Sequence, residues 1–340
     1  MPKLLQQLAK AALSTSVPLF GAPPRNDRGA PLDEQTHVML GILARAGRPT
    51  LDQLGPTRAR AELRAQADLG KLSPPPLHRV EDRRIDTPEA DLPVRIYTPR
   101  SGGVLPATVF FHGGGFVIGD LESHDALCRA LALRSGSVVV AVDYRLAPEH
   151  PFPCAAHDAC AAFRWTVANA SALGIDPSRV AVAGDSAGGN LAAVVAQVMR
   201  DEGGVMPSFQ LLIYPAVDLT RSFESHRTFR SGYFLTESLM DWFLANYVSD
   251  PAHMRDPKGS PIVTRDLAGL PPAHVVTAGF DPLRDEGEAY ADALRAAGVP
   301  ATSRCYDSLI HGFTAMGGLV DAAAHAVDDL GAHLHRALWP

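Results

Sequence analysis

The sequence has no run of about 18 apolar residues, the length a helix needs to cross a bilayer, so no segment reads as a membrane span. Cysteine is scarce: Cys128, Cys154, Cys160 and Cys305 are scattered, and none forms C-x-x-C. This pattern argues against a disulfide framework; reduced, mostly buried thiols fit a cytoplasmic protein. Charge of one sign is missing as well. With 31 basic and 37 acidic residues the net charge is −6, and no basic run marks a nucleic-acid footprint. Internal repeats and low-complexity tracts are absent. A nucleotide loop is excluded by spacing, because Gly113, Gly115 and Gly119 miss G-x-G-x-x-G and no Gly-Lys-Ser/Thr follows. His112, His124 and Asp125 have no recognised metal-ligand spacing. Residues 1–24 have a faint signal-peptide look, but Gln6, Gln7 and Lys10 interrupt the apolar run that a signal requires.

The 340 residues, 46% apolar and 20% charged, have a globular composition with enough length for a large core. Residues 4–14 and 33–44 read as helices, the second grouping Val38, Met39, Ile42 and Leu43 on one face. A polar helix follows at 57–69, then a proline-rich hinge, "KLSPPPLHRV". From residue 79 short apolar strands alternate with helices. Strands fit 79–86, 92–98, 107–112, 138–143, 180–184, 209–214, 273–279 and 301–306; helices fit 124–135, 154–168, 190–202, 285–297 and 319–338. Near-continuous Val/Ile/Leu strands separated by helices predict an α/β fold with a mainly parallel sheet covered on both faces. Right-handed crossovers then bring the strand C-termini to one edge, where ligands bind. About 45 residues after Tyr214-Pro215 carry no clear strand. They include a helix at 236–248 with Thr236 as candidate N-cap and an apolar face of Leu239, Met240, Phe243 and Tyr247, widened by Trp242. With the N-terminal helices, this insertion reads as a cap over the site.

"VAVAGDSAGGNLAA" (180–193) places Ser186 between a buried strand and a small-residue helix, within G-x-S-x-G. That turn presents a serine hydroxyl at the sheet edge, and the glycines are needed because a Cβ would strike the strand and helix beside it. A serine needs a base, usually imidazole. Among thirteen histidines, His311 in "YDSLIHGFTAM" follows a late strand and precedes Gly312, which places it at the same edge. Such a base must be neutral, so activity is expected to fall below about pH 6–7. Asp281 in "HVVTAGFDPLRDEG" follows a strand halted by Pro282 and is the candidate orienting acid. Asp285, the rival, reads as the N-cap of the next helix. The order Ser186, Asp281, His311 is that of an α/β-hydrolase site. "FFHGGGFVIGD" follows the third strand: Gly113 and Gly114 are candidate oxyanion donors with the N–H of Ala187, while Gly115 permits the turn.

"HGGGF", "DYRLAPEHPFP", "GDSAGGNLA", "LPPAHVVTAGFDPLRDEG" and "HGF" together resemble the hormone-sensitive-lipase-like branch of the α/β-hydrolases, the bacterial family IV esterases, over residues 80–320. The resemblance implies an eight-stranded, mostly parallel sheet with helices on both faces and a helical cap. It divides the chain into an N-terminal cap segment (1–75) and a catalytic domain (76–340) that carries a cap insertion at about 218–258. It also implies cofactor-free hydrolysis of carboxylic esters, with Ser186 as nucleophile, Asp281 as acid, His311 as base, and Gly113 and Gly114 as oxyanion donors. Members of the branch often dimerise through the last edge strand, here near 302–306. Phe234, Leu235, Trp242 and Phe243 are expected to line an apolar acyl pocket suited to chains of about two to eight carbons. The other readings are a small-molecule receptor on the same fold and a hydrolase of amides, lactones or carbamates.

Overall fold

A computed structural model describes residues 3–88 and 90–339; residues 1–2 and 340, the outer ends of the two expected segments, lie outside the described residues. Helix α1 (Lys3–Thr15) and the short α2 (Val17–Phe20) pack on α3 (Glu34–Ala46). The Asp33 side chain accepts the Thr36 N–H to start α3, and Gly47 in the left-handed region ends it. Helix α4 (Pro56–Gly70) opens on proline, whose missing N–H is no loss in a first turn. Val38 is fully buried, whereas Ile42 and Leu43, expected on the same face, are 49% and 50% exposed. Leu43 borders a cavity instead of the core, which is why the face divides.

The chain then runs β1 (Arg79–Asp86), β2 (Asp91–Thr98), β3 (Leu105–Phe111), α5 (Asp125–Ser135), β4 (Val138–Val142), α6 (Cys154–Ala168) and α7 (Ala170–Leu173). It continues through β5 (Ile175–Asp185), α8 (Ala187–Asp201), β6 (Gln210–Ile213), α9 (Glu224–Thr228), α10 (Glu237–Tyr247), β7 (Ala273–Phe280), α11 (Arg284–Ala296), β8 (Ala301–Ile310) and α12 (Asp321–Leu338). The eight strands form one sheet in the order β1-β2-β4-β3-β5-β6-β7-β8. β2 is antiparallel to both β1 and β4, and every other pair is parallel.

The two-residue period of a strand explains the layers. Val109 and Phe111 of β3 face a core shared with α6, α8 and α11, while Phe110 between them faces the core of α5 and α12. β3, β4 and β7 are buried along their whole length, as strands covered on both faces must be. The outer strand β1 carries Arg79, Asp82, Arg83 and Arg84, and such charges protect a free edge.

Two strands are longer than their sequence pattern indicates. β5 begins at Ile175, which pairs with Leu105, and β8 runs to Ile310, which pairs with Phe280 after a register shift. Both extensions depend on a distant partner strand. "DYRLAPEHPFP" forms an irregular connection between β4 and α6, held by a fully buried Asp158 carboxylate that accepts the Arg145 N–H and guanidinium. β3, β5, β7 and β8 are parallel and end at Phe111, Asp185, Phe280 and Ile310. The next residues, His112, Ser186, Asp281 and His311, therefore meet at one edge of the sheet.

Candidate active site

Ser186 is the residue between β5 and α8, with φ 56° and ψ −118°. A serine in that region costs of order 1–3 kcal/mol, and the surroundings hold it there. Its N–H donates to the Ile213 carbonyl at 2.8 Å. A Cβ on Gly188 would lie 1.9 Å from the Phe111 carbonyl oxygen, and one on Gly184 2.2 Å from that of Gly188, so the motif's glycines are set by space.

Ser186 Oγ lies 3.0 Å from His311 Nε2, and His311 Nδ1 lies 2.8 Å from Asp281 Oδ2. Asp281 is fully buried, and its other oxygen accepts the Leu283 N–H at 2.8 Å. An ionised carboxylate only accepts, so Nδ1 carries the proton and Nε2 is left to accept the serine hydroxyl. Asp285 is elsewhere engaged: its carboxylate accepts the Ser225 N–H and the Arg284 guanidinium. Contrary to the expectation that it caps α11, it lies in the first turn after the cap residue Leu283.

The glycine loop needs one correction. The Gly113 N–H donates to Asp185 Oδ1 at 2.8 Å. An N–H has one proton, so this bond removes Gly113 from the expected oxyanion donors. The directions of the next two N–H groups follow from peptide planarity, because a carbonyl and the N–H of the following residue point opposite ways. The Gly113 carbonyl is bonded to His112 Nδ1 at 2.8 Å, which sets the Gly114 N–H. The Gly114 carbonyl accepts from Val117 and Ile118, which sets the Gly115 N–H. Gly114 has φ 120°, and a Cβ there would lie 2.2 Å from the Ile118 carbonyl oxygen. Ala187 opens α8 and has no acceptor for its N–H within the helix.

Behind this loop lies a buried polar group. Asp185 faces His124 at 3.3 Å. Burial alone would raise the Asp185 pKa, but His124 and the Gly113 N–H hold it below the ordinary carboxylate value. Burial likewise opposes charge on His124, yet Asp185 raises its pKa. His112, stacked on Tyr144, is pushed down to about 4 by burial and by His124 beside it. It therefore stays neutral while donating to the loop.

A cavity of about 720 Å³ opens over Ser186 and His311. Phe234, Leu235 and Phe243 line it, together with Leu239 and Met240. Trp242 does not: α10 turns the stripe of 239, 240, 243 and 247 inward, and the Trp242 ring packs beside Phe243. Met39, Leu43 and Leu63 line it from the first 75 residues; the signal of Met39 and Leu43 was apolar periodicity, which does not distinguish a core from a pocket, while Leu63 lies in a helix that reads as polar.

A second pair went unread in the sequence. Glu286 of α11 is fully buried and accepts the Val217 and Asp218 N–H groups, and His226 Nε2 of α9 approaches its other oxygen to 2.8 Å. Burial raises Glu286 to about 7 against the pull of His226, and Glu286 in turn raises His226 despite burial. Both folded-state pKa values exceed those of the free side chains. The pair therefore contributes stability that is full at low pH and is lost as pH rises through about 7. The melting temperature is expected to fall as pH rises from about 4.5 through about 7, and Glu286→Gln is expected to flatten that dependence. Thermal unfolding followed by circular dichroism at each pH checks this; an equal slope in the variant would refute it.

A family model described as the α/β-hydrolase fold matches residues 108–315. The chain belongs to the α/β-hydrolase fold family. Relatives named as esterases and carboxylic ester hydrolases fit the hormone-sensitive-lipase-like branch. It is 46% identical to the carboxylic ester hydrolase LipN of Mycobacterium tuberculosis, over 82% of this chain and 76% of that protein. It is 41% identical to an ethyl acetate hydrolase of Pseudomonas putida, over 68% and 74%. Among solved structures, the hyperthermophilic esterase of Pyrobaculum calidifontis superposes with a TM-score of 0.86 at 43% identity, covering 90% of this chain and 99% of that one. The α/β-hydrolase match spans the loop after β3, the serine turn, and the segments that carry Asp281 and His311.

Proposed function

We propose that this carboxylic ester hydrolase works through an acyl-enzyme on Ser186. His311 Nε2 takes the hydroxyl proton as Oγ attacks the ester carbonyl, and Asp281 holds the Nδ1–H tautomer and stabilises the imidazolium. The N–H groups of Gly114, Gly115 and Ala187 meet the oxyanion; one such donor is typically worth about 2.7–4 kcal/mol. His311 then protonates the leaving alcohol, and water repeats the sequence on the acyl-enzyme. No cofactor enters. The observation that carries this reading is the unbroken Ser186–His311–Asp281 chain, with contacts of 3.0 and 2.8 Å. Hydrolysis of p-nitrophenyl butyrate by the parent and not by Ser186→Ala is the test; equal rates would sink the mechanism, and two silent proteins would favour a receptor.

Residues 1–75 and the insertion at about 218–258 act as the cap. The apolar cavity between them favours uncharged esters with acyl chains of about two to eight carbons. Rates on p-nitrophenyl esters are expected to peak in that range, and a continued rise past about twelve carbons would refute it. We further propose a homodimer through β8, a sheet edge with exposed Thr302, Ser303 and Arg304, checked by light scattering at micromolar concentration. The four scattered cysteines, none in a C-x-x-C pair, favour a cytoplasmic setting. Among the described residues, no helix is long and apolar enough to cross a membrane.

A further inference from the structure

We infer that Arg60 and Arg64 of α4 are positioning residues for the oxyanion site, so the N-terminal segment takes part in catalysis and does more than cover the cavity. This rests on the reading above, in which the Gly114 and Gly115 N–H groups receive the developing negative charge.

Arg60 and Arg64 are four apart and share one face of α4, while Leu63 and Ala67 turn toward the cavity. Arg60 Nε donates to the Val117 carbonyl at 2.9 Å, and one terminal nitrogen donates to the Ala147 carbonyl at 2.9 Å. Glu149 holds the same guanidinium from the other side, at 2.9 and 2.6 Å. Both carbonyls belong to the support of the glycine loop. The N–H of Val117 bonds the Gly114 carbonyl, and the N–H of Ala147 bonds the Phe116 carbonyl at 2.9 Å. The planar Arg60 fork thus fixes the Val117 carbonyl, which shares a peptide with the Ile118 N–H that bonds the Gly114 carbonyl, and the carbonyl of Ala147, whose N–H bonds Phe116.

Arg64 grips the other end of the loop. It donates through Nε to Asp120 Oδ2 at 2.9 Å, and a second guanidinium nitrogen reaches the same oxygen. Asp120 Oδ1 accepts the Ser123 N–H at 2.8 Å, and Ser123 Oγ lies 3.0 Å from His124 Nδ1. His124 faces Asp185, which takes the Gly113 N–H. The route from Arg64 returns to the first residue of the glycine loop. α4 therefore braces the loop at both ends, through guanidinium groups whose geometry lysine cannot copy.

A group acting this way affects the transition state more than substrate binding. Arg60→Gln is expected to lower kcat on p-nitrophenyl butyrate about 10- to 100-fold while KM stays within about twofold. Affinity for an alkyl trifluoromethyl ketone, whose hydrated or Ser186-bound oxygen occupies the oxyanion site, is expected to weaken in proportion to the loss of kcat/KM. Arg60→Lys should recover only part of kcat, and Arg64→Asn should show the same split at smaller size. If Arg60→Gln fails to fold, Arg64→Asn decides the matter alone, with its melting temperature measured alongside. A raised KM at constant kcat, or a drop in kcat with unchanged ketone affinity, would overturn the inference. Loss of activity in the parent, or activity independent of Ser186, would instead overturn the mechanism on which it rests.

Discussion

Ser186→Ala and His311→Ala are each expected to lower kcat by about 10⁶-fold, and the double variant is expected to be no worse than either single one. The non-additivity is the informative part. Oγ and Nε2 are 3.0 Å apart and share one proton transfer, so removing either leaves the other nothing to act with. Residual turnover of about 10³–10⁴ over water would remain, because Gly114, Gly115 and Ala187 are untouched. Losses that multiply, with the double variant far below both singles, would mean the two side chains act in separate steps. Steady-state kinetics on p-nitrophenyl butyrate across the four proteins measures this directly.

Asp281→Asn is expected to cost about 10⁴-fold in kcat with little change in KM. The carboxylate is fully buried and accepts two N–H groups, one from His311 and one from Leu283. A carboxamide has one acceptor oxygen. The Leu283 N–H is fixed by backbone, so the amide oxygen turns to it and the NH₂ group faces His311. Nδ1 then becomes the acceptor, the proton moves to Nε2, and the base toward Ser186 is lost. A loss below about tenfold would show that the tautomer is held by other groups. An unchanged melting temperature would confirm that the effect is chemical, since the Leu283 bond survives.

The parts of this molecule that were legible in the sequence are those with short-range causes. β1 and α6 match their expected bounds to the residue, and Thr236 caps α10 through the Leu239 N–H as its position suggests. Ser186, Asp281 and His311 were readable because each follows a strand end, and parallel strands bring those ends together. What stayed hidden depended on contacts distant in sequence. Nothing local to "HGGG" reveals that the first glycine's N–H belongs to Asp185, 72 residues later. His226 and Glu286 are separated by 60 residues, and a lone histidine in a polar stretch reads as surface. Arg60 and Arg64 look like the solvent face of a polar helix until Val117, Ala147 and Asp120 are in view. Trp242 shows the reverse case: helical periodicity placed it near the cavity, and the rotation of α10 put it beside the wall.

The central claim is that Ser186 is the nucleophile. Reaction of the purified protein with p-nitrophenyl diethyl phosphate tests it most directly, because attack by Oγ on phosphorus expels nitrophenolate and leaves a stable diethylphosphoryl ester on the attacking residue. A nucleophilic Ser186 releases one nitrophenolate per chain, with complete loss of esterase activity, a mass increase confined to the peptide that contains Ser186, and no reaction in Ser186→Ala. A modified peptide without Ser186, or full esterase activity in a protein carrying that adduct, would contradict it.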